Sequence, residues 1–182
     1  MLKYVQFDRL SDAESSLDEL CSCLERVSKS EHAWKYAIIS THCALQGYLC
    51  IALRNGNSFQ TWKKNQYKKW QEADDNELKL PDPQLDFFME LFDKVFSSST
   101  NIDRNLIVWL NETRNGLVHF NTDSYLIEKA LIIKAVAQAV QAIKQTPSLA
   151  KGIFFYEDVQ ESSFQKACKK VETRLNSLTS NT

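Results

Sequence analysis

Apolar residues recur at threes and fours along most of the chain, the spacing of one face of an α-helix. Leu17, Leu20, Leu24 and Val27 form the first such stripe. Ser11-Asp-Ala-Glu14 has the form of a capping box ahead of it, so a helix is predicted from Ser11 to about Lys29. A second runs from Glu31 to Arg54, with Trp34, Ala37, Ile38, Leu45, Leu49 and Ala52 on a broad apolar face and Asn55-Gly56 as its stop. Residues 57–83 are polar, with a short helix predicted from Thr61 to Gln71 and a break at Pro81 and Pro83. The stripes resume from Gln84 to Phe96, where Ser97-Ser-Ser-Thr100 breaks the run, and again through Ile102, Leu106, Trp109, Leu110, Thr113 and Leu117. After a break at Asn121-Thr-Asp-Ser124, Leu126 to Lys144 is rich in helix formers. Pro147 and Gly152 punctuate, Ile153-Phe-Phe-Tyr156 reads as a lone strand or a packed loop, and a last helix is predicted from Ser162 to Leu178.

With only four glycines and three prolines in 182 residues, the chain lacks the turn chemistry of a multi-stranded sheet. The expected fold is all-α, a single-domain bundle of about five to seven helices over residues 1–182. The apolar tracts 37–53 and 131–143 are interrupted by Ser40, His42, Gln46, Lys134, Gln138 and Gln141, which suits core helices better than membrane spans. No apolar run precedes the first acidic residues, so no secretory signal is read and a cytoplasmic location is expected. Five cysteines are an odd number, and Cys21 and Cys23 stand only two apart, so structural thiols are expected rather than disulfides. Cys43 and Cys50, seven apart, belong to one helical face. No Cys/His pairing at zinc spacing occurs, and neither a metal nor another cofactor is expected.

A net charge of −1 excludes the strongly basic surface that binds long duplex DNA. Local basic segments remain. Lys63-Lys64-Asn-Gln-Tyr-Lys-Lys-Trp70 mixes cations with aromatics, making Lys63 and Lys64 candidate substrate contacts, against the plainer reading of a solvated helix face.

The segment that carries chemistry is Arg114-Asn115-Gly-Leu-Val-His119. It pairs a fixed cation with a group that exchanges protons near neutral pH. Those are the tools for cleaving RNA without a metal: the imidazole moves a proton at the ribose 2′-hydroxyl or the 5′-oxygen, and the guanidinium neutralises the phosphate. Residues five apart on a regular helix diverge by about 140°, so the two groups do not converge within one chain, and a second copy across a two-fold axis would complete the site. Asn115 stands four before His119 on nearly the same face and is placed to hold the imidazole or a phosphate oxygen. The same tripeptide, Arg54-Asn55-Gly56, occurs elsewhere with no histidine after it and reads there as helix termination. His42, alone on an apolar helix, is a core histidine or a second residue of the cleft. His32 reads as surface, and Glu112 and Asp123 flank the motif.

The run Leu110-Asn-Glu-Thr-Arg114-Asn115-Gly-Leu-Val-His119-Phe120 resembles the Arg-polar-x-x-x-His signature of the HEPN superfamily, and Trp34 to Gly47 is similar to the second long helix of small prokaryotic HEPN-like proteins. The resemblance covers about residues 10–145 and leaves 146–182 as an additional segment. It implies a dimeric helical bundle and a metal-independent endoribonuclease, with Arg114, Asn115 and His119 catalytic. It also implies RNA as substrate and a cognate antitoxin protein as partner in a toxin–antitoxin or abortive-infection system. The alternative within the family is a catalytically silent module that binds a protein or a nucleotide.

Overall fold

The computed structural model describes residues 4–5, 7–97, 101–120 and 123–179. Over these the chain forms seven α-helices: α1 (Arg9–Arg26), α2 (Ala33–Ala52), α3 (Gln66–Asp75), α4 (Phe88–Val95), α5 (Arg104–Val118), α6 (Lys129–Leu149) and α7 (Asp158–Thr179). A single turn of 3-10 helix at Phe59–Thr61 precedes α3. The all-helical bundle read from the spacing of apolar residues is the fold observed. The breaks expected around 98–100 and 121–122 lie outside the described residues.

Helix α2 sits at the centre, packed against α1, α4, α5 and α6. Its buried residues cover more than half of its circumference, from Ala37, Ile38 and Leu45 to Thr41, His42 and Tyr48, and leave a narrower, half-exposed stripe at Ile39, Cys43, Gln46 and Cys50. So broad an apolar face is stable only when several neighbours cover it. The amphipathic helices do so with their own stripes: Leu17, Leu20 and Leu24 from α1, Ile107 and Leu110 from α5, and Val136, Ala139 and Ile143 from α6. α7 packs on α1 and α6 and adds Phe164, Cys168, Val171 and Leu175 to the same buried cluster. The segment after 146, expected as an addition, thus shares the core. Residues 153–156 form a packed loop, with buried Phe154 stacked on Tyr48 and meeting Phe164 edge-on.

Several boundaries differ from the sequence reading, each for a local reason. α1 starts at Arg9 because Asp8, not Ser11, is its N-cap. The Asp8 carboxylate accepts from the backbone of Leu10 and Ser11, while Ser11 Oγ accepts from the Asp8 amide. α3 begins five residues later than expected, since residues 61–63 pair instead with 84–86: the Lys63 amide donates to Gln84 and the Asp86 amide to Thr61. The same pairing holds Gln84 to Phe87 extended and shortens α4. α6 continues through Pro147, whose missing N–H would strand the Ile143 carbonyl; Thr146 Oγ1 donates to it at 2.6 Å instead. α7 gains a turn at its start, where Asp158 and Glu161 complement the helix dipole. All five cysteines are free, and burial raises the pKa of every thiol, which keeps them protonated at neutral pH. Cys43 and Cys50 are only half-buried, at the edge of α2's interface rather than within it.

The closest approach of α1 and α2 is at Gly47. A Cβ there would stand 2.8 Å from Ala13 Cβ and 3.3 Å from its Cα. Helix propensity favours replacing this glycine, but the contact opposes it. Gly47→Val is expected to lower stability by about 2–3 kcal/mol through overpacking, read as a reduced urea midpoint by circular dichroism. An unchanged or raised midpoint contradicts the close packing.

Candidate functional site

Helix α5 carries the Arg-Asn-x-x-x-His segment and is fixed at its start. Asp103 caps it by accepting from the Asn105 amide, and the Asp103 amide donates to Gln138 Oε1 on α6. Arg104 forms a two-pronged pair with Asp93 of α4 at 2.7 and 2.8 Å. Ile107, Leu110, Thr113 and Leu117 form the buried stripe. That stripe sets the remaining side chains: Asn111 and Arg114, three apart, flank it as half-buried groups, whereas Glu112, Asn115 and His119 are exposed.

His119 is the C-cap of α5, with its amide donating to the Asn115 carbonyl. Leu117 and Phe120, close to it in the chain, line a cleft of about 330 Å³ with His32, Trp34, Tyr125 and Leu126, among others; His119 itself does not line it. Phe120, Tyr125 and Leu126 are largely exposed there. His32, expected at the surface, is exposed at the start of α2.

Arg114 lies on another side of α5. Its Nη1 donates to Asn115 Oδ1 at 3.0 Å, and its Nε is shielded from solvent without a partner. Three other arginines, Arg26, Arg104 and Arg174, each pair with a carboxylate; among the described residues no carboxylate pairs with Arg114. Its positive charge instead reaches α2, where it adds to the lowering of the His42 pKa by burial and opposes the rise that burial causes at Cys43. Glu112 and Asp123 make no hydrogen bond or ion pair with Arg114 or His119.

His42, one of the expected substrate contacts, is buried in the α2 interface with 3% of its surface exposed. Its ring stacks on Phe88 at 4.1 Å, and Nε2 bonds Asn111 Oδ1 at 3.1 Å. With the Asn111 oxygen as acceptor, Nε2 carries the proton and Nδ1 is a bare, buried lone pair with no partner. Burial foremost, then the charge of Arg114, lowers the pKa of His42 to about 4 against the help of the Asn111 bond. The ring is therefore neutral at physiological pH. His42 thus bonds Asn111, feels the charge of Arg114 and does not open onto solvent.

Lys63 and Lys64 sit elsewhere, on the loop before α3, lining a cleft of about 440 Å³ with Phe59, Trp62, Tyr67 and Lys94. The two regions are joined by the N-cap and the first residue of α4: Phe88 is stacked on His42, and Phe87, the N-cap, carries the Lys63 ammonium 4.9 Å from its ring centroid. The structure therefore brings His42 and Arg114 together, links them to Lys63 through α4, and leaves His119 at the far end of α5. Sequence reading missed Asn111, whose polar character on a half-buried flank was the available signal. Phe88, read as a core residue, is buried there, whereas exposed Phe87 was not singled out.

Among the described residues no group of three His, Cys, Asp or Glu side chains could hold a metal ion, and no helix is long and apolar enough to cross a membrane. No family model, curated protein or solved structure matches the chain.

Because the folded His42 ring binds a proton only near pH 4, whereas the unfolded chain does so near 6.5, acidification favours unfolding. Stability from this group is present above about pH 6.5 and is lost as the pH falls towards 4, by roughly 2–4 kcal/mol. A His42→Gln variant is expected to show a shallower loss of urea midpoint between neutral and acid pH than the parent. Parallel pH profiles for the two proteins contradict this.

Proposed function

We propose that this chain is a metal-independent endoribonuclease that acts as a homodimer. The observation that supports it most is Arg114: a half-buried guanidinium with no counter-ion, held by neutral Asn115 and set five residues before an exposed histidine at the same helix end. An unpaired cation of this kind is open to a phosphate, because no carboxylate has to be displaced from it. The resemblance of the segment to the HEPN signature points the same way.

In this reading the imidazole of His119 takes the proton from a ribose 2′-hydroxyl. The freed oxygen attacks the adjacent phosphorus as the bond to the 5′-oxygen breaks. That oxygen leaves with a proton from the imidazole of the second copy, giving a 2′,3′-cyclic phosphate and a 5′-hydroxyl end. Arg114 offsets the charge gathering on the phosphate, Asn115 fixes the guanidinium, and Lys63 and Lys64 attract the strand. His42 contributes as a neutral, buried support beneath Asn111 and Arg114. The divergence of Arg114 and His119 on one helix is the reason the reading requires two chains, and the exposed apolar rim of Phe120, Tyr125 and Leu126 beside His119 is a surface such a pairing would cover. A role as the toxin of a toxin–antitoxin or abortive-infection pair, with a cognate antitoxin protein and a cytoplasmic site of action, belongs to the same proposal.

One observation favours a second reading. The Nε of Arg114 is shielded and its charge is felt by His42 and Cys43, as expected of a structural cation in a catalytically silent module that binds a protein or nucleotide. Cleavage decides between them. The purified protein is expected to cut single-stranded RNA in EDTA, with ends that are cyclic phosphate and 5′-hydroxyl. His119→Ala is expected to lower the rate by about 10²–10⁴ with an unchanged helical spectrum, since the exposed ring contributes little to packing. Cleavage retained in that variant discards the mechanism, and no cleavage by the parent favours the silent module.

A further inference from the structure

The stretch from Asn57 to Phe87, which includes the 3-10 turn and α3, is tied down by hydrogen bonds yet keeps its aromatic rings outside the main core. Phe59 meets Trp62 at 4.8 Å, Tyr67 at 4.8 Å and Trp70 at 5.3 Å. None of the four is fully buried and none belongs to the core cluster; Tyr67 exposes 43% of its surface and neighbouring Phe87 69%. Phe59, Trp62 and Trp70 are half-buried against one another, and Tyr67 keeps a face open to solvent. The frame beneath them is firm. Lys94 Nζ donates to the carbonyls of Gln60 and Trp62 and to the Asp86 carboxylate, and Gln66 Nε2 donates to the Asp82 carbonyl.

Charge completes the picture. The carboxylate of Asp86 is taken by Lys94, so Lys63 and Lys64 leave the cleft with net positive charge, and no acidic residue lines it. Its volume of about 440 Å³ lies within the roughly 300–1,000 Å³ of small-ligand clefts. Exposed ring faces beside unneutralised ammonium groups match a ligand with flat bases and a phosphate backbone. Those faces are reachable only when the bases are unpaired.

We propose that this loop is a binding platform for single-stranded polynucleotide, with bases stacked on the rings around Phe59 and phosphates drawn to Lys63 and Lys64. As the surface that holds substrate for Arg114 and His119 it rests on the nuclease reading; as a binding site it does not need cleavage.

The test is fluorescence anisotropy with the full chain and a short 2′-O-methyl RNA, which lacks the attacking hydroxyl and cannot be cut. Tyr67→Ala is expected to weaken binding about tenfold, and Lys63→Gln with Lys64→Gln by a similar factor, while Tyr67→Phe stays within about twofold of the parent. Single-stranded DNA of the same sequence is expected to bind comparably, since neither stacking nor phosphate attraction needs the 2′-group. The platform is overturned if both the tyrosine and lysine variants bind as the parent does, if a duplex of equal length binds as tightly, or if ATP alone displaces the strand stoichiometrically. Measured beside the EDTA cleavage assay, the two ideas fail separately. Binding that depends on Tyr67 without cleavage keeps the platform and removes the nuclease. Cleavage that is indifferent to Tyr67, Lys63 and Lys64 does the reverse.

Discussion

The burial of α2 is the constraint on which the rest of this fold depends. A helix buried over more than half of its circumference must be met by each of its neighbours at a fixed place and depth. Gly47 sets the depth on the α1 side, where only a hydrogen fits against Ala13. Apolar stripes set the place on the α5 and α6 sides. At its C-terminal end the chain returns to cover the helix terminus: the Lys151 amide donates to the Ala52 carbonyl, and Gly152 passes so near Arg54 that a Cβ would lie 2.6 Å from its carbonyl oxygen.

That packing makes the polar spot in the α2–α5–α4 interface consequential. His42 is enclosed with one nitrogen satisfied by Asn111 and the other by nothing, a cost of the order of 1–3 kcal/mol that an apolar side chain would avoid. The guanidinium of Arg114 raises that cost whenever the ring takes a proton. A neutral imidazole, an amide and an unpaired cation therefore form one electrostatic unit across the two helices, and the phenyl ring of Phe88 seals its base. The same α4 residues carry the unit's influence outward, since Phe87 is the surface on which Lys63 rests.

Much of the architecture was legible because α-helical spacing is a strong signal when glycine and proline are scarce. Every long stripe became a helix. What escaped was decided by a few individual hydrogen bonds: the side chain of Asp8 displacing Ser11 as a cap, that of Thr146 carrying a helix past Pro147, and the backbone pairing of 61–63 with 84–86, which joins segments more than twenty residues apart and leaves no periodic trace. The candidate residues were legible as types but not as a set. Periodicity places Arg114 and His119 on different sides of α5, and the structure agrees. It could not say that Arg114 turns towards His42, because a lone histidine among apolar neighbours looks the same whether it lines a cleft or supports a cation.

The separation of charges resolves an apparent conflict between a net charge of −1 and a phosphate-bearing ligand. Affinity for a polyanion follows the cations left without partners at the contact, not the sum over the chain. Here carboxylates neutralise Arg26, Arg104, Arg174, Lys129 and Lys144 on surfaces away from the α3–α4 loop. Arg114, Lys63 and Lys64 stand in none of these pairs, nor do other cations such as Lys35, Lys134 and Lys151, but Lys63 and Lys64 line a cleft with no acidic residue. The Lys63 ammonium lies over Phe87, and the next residue, Phe88, stacks on His42, which feels the charge of Arg114. His119 is absent from that line. The exposed imidazole at the end of α5 and the half-buried guanidinium within it are thus separate features of the single chain.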